Sequence, residues 1–64
     1  MRNTTYVSSL DRQVEHFIDR YRTAETEMQR ISIVNMYEHM ININVINPTA
    51  KIGYRNYFNE MVGR

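Results

Sequence analysis

The residues of this chain best equipped for chemistry are two histidines and the acids beside them. His16 is flanked by Glu15 and followed by Asp19, and His39 comes directly after Glu38. Imidazole next to carboxylate can relay protons or bind a metal, but a metal centre needs three or four ligands at set spacings. Neither histidine belongs to such a pattern or to a triad motif. The helical spacing described below puts His16 on a solvated face and His39 on the polar side of its helix. The chain has no cysteine, which excludes thiol nucleophiles, thiolate zinc sites and disulfides. It has no glycine-rich phosphate loop either, and 64 residues leave little room for a ligand pocket of ordinary volume. The expectation is a protein that is not an enzyme, with no catalytic residue, bound metal or cofactor.

A second group, Lys51, Arg55, Asn56 and Asn59, has the side-chain types that read guanine and adenine edges in a major groove. A compact helix-turn-helix-like regulator would place them on its third helix. Charge speaks against this alternative: eight basic residues against seven acidic give a net charge of +1. Dedicated nucleic-acid binders more often have a pI above about 9 with clustered cations. The predicted connection before the third helix also exceeds the three or four residues usual in that motif. Tyr54 and Tyr57 around Arg55 could stack single-stranded bases, although aromatic stripes at helical spacing are more often core.

These residues must be positioned by helices. Leu10, Val14, Phe17, Ile18 and Tyr21 repeat as i, i+4, i+7, i+8, i+11, and Ala50, Tyr54, Tyr57, Phe58 and Met61 repeat the same template. Ser8 or Ser9 can cap the first helix, with Asp11 completing a short capping box from Ser8. Its outer side carries an acidic stripe (Asp11, Glu15, Asp19) and a basic one (Arg12, His16, Arg20). Thr23 or Thr26 should open the second helix, whose stripe of Ile33, Val34, Met36, Tyr37, Met40 and Ile41 is too wide for one neighbour. Asn47-Pro48 supplies a cap and a first-turn proline for the third, and Gly63 is a fitting stop. Gly53 lies inside that helix, where a close backbone approach or a kink would account for it. The alternating run Ile41-Asn42-Ile43-Asn44-Val45 has strand character. It predicts a frayed helix end passing into an extended linker, with a strand paired across a two-fold axis as the other option.

The fold expected is all-α: one small three-helix domain spanning 1–64, with helices over about 9–22, 25–41 and 48–62 and residues 1–7 as an extended or flexible arm. A chain of this length without disulfide or metal commonly needs a second subunit, so completion by homodimerisation is expected. Lacking a signal peptide or a spanning segment, it is read as cytoplasmic, with no membrane role.

Five methionines, seven aromatics and a single lysine leave a surface suited to protein contacts. The function expected is a small non-catalytic protein-binding regulator, an inhibitor or adaptor of a larger protein such as phages and mobile elements encode. The docking face is expected on Ile33, Met36, Tyr37, Met40, Ile41, Ile43 and Val45.

Overall fold

A computed structural model describes residues 9–64. The expected N-terminal arm over 1–7, and any cap supplied by Ser8, lie outside the described residues. The chain is an all-α domain of three helices: α1 Ser9–Thr23, α2 Glu27–Asn44 and α3 Pro48–Val62. α2 runs antiparallel to both others, so α1 and α3 lie side by side and point the same way.

Each junction is written in local hydrogen-bonding chemistry. At the end of α1 the Thr23 hydroxyl donates back to the carbonyls of Asp19 and Arg20, at 3.1 and 3.2 Å. Thr26 therefore opens α2. Its hydroxyl accepts from the Gln29 backbone N–H at 3.1 Å, and the Gln29 side chain accepts from the backbone N–H groups of Thr26 and Glu25. This reciprocal box satisfies amides that the first turn would otherwise orphan. Asn47 does the same for α3, accepting from the N–H groups of Thr49 and Ala50 at 2.8 and 3.2 Å, with Pro48 in the first turn. Gly63 ends α3 in the left-handed region, at φ 78°.

The segment 41–46 is mostly helix. α2 continues to Asn44, three residues past the expected end, and only Val45, Ile46 and Asn47 form the connection. No strand is present among the described residues. The helix persists because Ile41 and Val45 are four apart and both buried, so tertiary packing rewards the helical spacing over the alternating one. Val45 N–H still reaches the Ile41 carbonyl at 2.9 Å, and the Asn44 side chain donates to Met40 O at 2.8 Å.

Val14 and Ile18 from α1, Ile33, Tyr37 and Ile41 from α2, Val45 from the connection and Phe58 from α3 make the core. Tyr37, 1% exposed, stands where the three helices meet. Its ring stacks on Phe58 with centroids 4.3 Å apart and takes the edge of Phe17 at 5.8 Å; Tyr21 closes edge-on against Phe58 at 5.7 Å. Its hydroxyl donates to the Tyr54 carbonyl on α3 at 2.7 Å. Burial, with the neighbouring hydroxyls of Tyr54 and Tyr57, pushes the Tyr37 pKa up to about 12.

The repeated template has two outcomes. In α1 all five positions are buried or half-buried. In α3 Phe58 is buried and Ala50 and Tyr54 are half-buried, while Tyr57 and Met61 keep 39% and 36% of their surface exposed on the α1 side. There Tyr57 donates its hydroxyl to Glu15 at 2.8 Å, and Arg22 donates to the Met61 carbonyl at 2.7 Å. A cation at the carbonyl end of α3 suits the helix dipole. Gly53 has neither of its expected reasons: the helix runs through it unbroken, and no described neighbour lies within 4 Å of where a Cβ would stand.

Candidate protein-binding surface

The seven residues expected to form a docking face do not share one face. Ile33, Tyr37, Ile41 and Val45 are the inward row, i, i+4, i+8, i+12, and they pack inside the domain. The sequence-based face is corrected at these four positions, because the wide stripe of α2 combined an inner row with an outer one. The outer row stays at the surface: Met36 is 55% exposed, Ile43 is 65% exposed and Met40 is half-buried.

Met36, Met40 and Ile43 converge on an open cleft of about 430 Å³, completed by Phe17 from α1 and by Asn35, His39 and Asn44. Thioether and isoleucine chains around an aromatic edge form an adaptable apolar seat. The polar groups that rim it are amides and an imidazole, which can donate or accept hydrogen bonds. Phe17 is the member that sequence reasoning assigned to the core alone. It does touch Tyr37, yet its half-exposed side also forms the wall of the cleft.

The cleft belongs to a broader feature. At 100° per residue, the half of α2 turned away from the inward row comprises Met28, Gln29, Ile31, Ser32, Asn35, Met36, His39, Asn42 and Ile43. None of these is Asp, Glu, Lys or Arg; Glu38 stands just off one edge of this half and Met40 just off the other. Met28 is 81% exposed and Ile31 51%. The three charged side chains of α2 lie off this half and are paired, Arg30 with Glu27 at 3.2 Å and Glu38 with Arg55 at 3.6 Å. In the sequence the signal is a scarcity of charge from Ile31 to Ala50.

A larger groove, about 760 Å³, opens between α1 and α3. Val14, Ala50, Gly53, Tyr54 and Tyr57 line it, and Asp11, Arg12 and Glu15 form its charged rim. The missing side chain of Gly53 helps to keep it open. The Tyr57 hydroxyl has a raised pKa chiefly because Glu15 accepts its hydrogen bond. The outer cleft is smaller, but it is the one that the predicted Met36, Met40 and Ile43 line.

The nucleic-acid candidates are all on α3. Arg55, Asn56 and Asn59 are exposed, whereas Lys51 is half-buried and Arg55 is engaged by Glu38. The three-residue connection Val45–Asn47 is shorter than expected and falls within the turn length of a helix-turn-helix.

No group of three His, Cys, Asp or Glu side chains gathers among the described residues, and no described helix is long and apolar enough to cross a membrane. Comparison with protein-family models, curated proteins and solved structures finds no match to this chain.

Proposed function

We propose that this chain acts by binding proteins: a small, non-catalytic regulator, an inhibitor or adaptor of a larger protein, that works as a homodimer in the cytoplasm. One observation carries the reading. Half the surface of an 18-residue helix is free of formal charge and exposes Met28, Ile31, Met36 and Ile43. Charge depletion with methionine enrichment is the composition of an interface core, whereas an ordinary helix exterior is lined with Lys and Glu. Size supports the same reading, since a seven-residue core without disulfide or metal gains most from a second subunit.

The short connection before α3 favours a second reading, a DNA-binding regulator that presents Arg55, Asn56 and Asn59 with Lys51 at the edge. Salt separates the two. Association through an apolar face persists or strengthens as salt is raised, while phosphate contacts weaken steeply. Sedimentation equilibrium at low and high salt, beside fluorescence anisotropy with duplex DNA, makes the test. The expected result is a dimer at both salt levels and no duplex binding at physiological salt. A monodisperse monomer would overturn the homodimer, and salt-sensitive duplex binding lost in the Lys51→Ala/Arg55→Ala variant would overturn the protein-binding reading.

A further inference from the structure

We infer that the outer face of α2 is the seat of a second copy of this chain, docked antiparallel across a two-fold axis that passes beside Asn35 and Met36. The inference rests on the homodimer reading above and adds which surface, which direction and which register; it gives this face to the second copy, so that a larger partner is met by the assembled dimer elsewhere.

Three observations lead to it. The first is charge. In a two-fold interface every group near the axis meets its own copy, so any fixed charge there meets a like charge. The outer half of α2 carries no Asp, Glu, Lys or Arg of its own, and its charged neighbours stand at the edges, Arg20 of α1 beside Ser32 and Met36 on one side and Glu38, paired with Arg55, on the other. By contrast the exterior of α1 carries Asp11, Arg12, Glu15, Asp19 and Arg20, which another copy would have to neutralise group by group.

The second observation is pattern. Along the outward seam the residues are Met28, Ser32, Asn35, Met36, His39 and Ile43, spaced by three, four or one. Apolar residues stand at both ends, and between them the hydrogen-bonding Ser32, Asn35 and His39 surround a central Met36. The order is nearly the same in either direction, as an antiparallel pair of identical helices requires. Centred between Asn35 and Met36, the pairing sets Met28 over Ile43 of the copy and Ser32 over His39. The most exposed methionine of the helix thus meets its most exposed isoleucine. Serine and histidine can hydrogen-bond across the seam, and antiparallel helix dipoles attract.

The third is area. α2 is 18 residues, about 27 Å long, and gives a continuous contact strip with no chain break. Phe17 and Met40 widen it on one edge, toward α1. A stable dimer buries about 800 Å² on each partner, so a strip of this length must bring its flank as well as its seam into the contact.

Because the chain has no cysteine, single introduced thiols report one position at a time. Met28→Cys, Asn35→Cys and Ile43→Cys variants are treated with a short bismaleimide, each alone and as an equimolar mixture of Met28→Cys with Ile43→Cys. The expected result is efficient bridging of Asn35→Cys alone and of the mixture. Met28→Cys or Ile43→Cys alone should bridge poorly, since about 22 Å separates these ends along one helix. In parallel, Ile43→Glu should weaken the dimer at least about tenfold in sedimentation, because a carboxylate would be buried without a partner. Its helical circular dichroism should be unchanged, position 43 being exposed in the single chain. Bridging of Met28→Cys alone, or a dimer that ignores Ile43→Glu, overturns this face and register while the homodimer reading stands. A wild-type monomer overturns both.

Discussion

α1 and α2 are neighbouring helices that bury comparable inner rows and treat the outside differently. Looking outward, α1 shows Asp11, Arg12, Glu15, Asp19 and Arg20, acids and arginines interleaved, with His16 among them. α2 shows methionine, isoleucine, asparagine, serine and glutamine over the same kind of arc. The inner rows are alike because each must fill the same core. Nothing in the packing of one chain requires the outer rows to differ. A solvated helix gains solubility from charge and a few tenths of a kcal/mol from each well-placed pair. A helix that forgoes both and leaves Met28 and Ile43 in water gains nothing by it within its own fold, and that is the ground on which the docking proposal stands.

The sharpest way to break that comparison is to exchange an inner with an outer position on α2. Tyr37→Ala removes the ring that joins the three helices and should cost about 3–5 kcal/mol, the range for an aromatic deleted from a core. Met36→Ala, one residue away, should cost under about 1 kcal/mol in the monomer. Urea unfolding of both variants at low concentration measures the difference. Equal losses would mean that the inner and outer rows are not distinct.

Next in size is the ionisation of the inner row. Tyr37 titrates near pH 10 in an unfolded chain and near pH 12 in this core. The folded state therefore holds the proton more tightly. The stability that goes with it is fully present below pH 10 and is lost as the pH rises toward 12. The loss amounts to about 2–3 kcal/mol, and it should vanish in Tyr37→Phe. Denaturation midpoints followed across that window in the two proteins check it.

A smaller effect sharpens the contrast between packed and open helix positions. Gly53→Ala should stabilise α3 by about 0.5–1 kcal/mol, since the new methyl meets no described neighbour and glycine is a poor helix interior residue. A loss in thermal unfolding would show that the groove beside it is filled. Smallest of all, neutralising α1 charges one at a time, Arg12→Gln or Asp19→Asn, should move stability by no more than about 0.5 kcal/mol. A larger shift would mean that the exterior of α1 is itself a working surface.

Much of the fold could be read directly where the signal is local. Asn47-Pro48 and Gly63 bracket α3 to the residue, while the start of α2 reads less sharply, as Thr23 or Thr26 with a helix from about 25, and the box of Thr26 with Gln29 places it at Glu27. The end of α2 could not be read so directly. Ile41, Ile43 and Val45 fit a strand by alternation, while Ile41 and Val45 fit a helix by spacing. The choice falls to Val14, Ile18 and Phe58, distant residues that share the core with that pair. The division of the α2 stripe into two rows was hidden for a related reason. The stripe Ile33–Ile41 is broad enough to hold two rows, and which row turns inward depends on where α1 and α3 come to rest. What the sequence displays without help from tertiary structure is the scarcity of charge from Ile31 to Ala50, where Glu38 stands alone; that the gap faces outward follows only once the inner row is known.

The parallel course of α1 and α3 has a mechanical consequence. With three helices the described chain enters at one end of the bundle and leaves at the other, so Ser9 and Val62 are separated by about the length of a helix, roughly 22 Å. Tension applied between them pulls α1 and α3 along their common axis in opposite directions. The Glu15–Tyr57 and Arg22–Met61 bonds then lie across the load and are strained together, as rungs between sliding rails, rather than opened one after another like a zip.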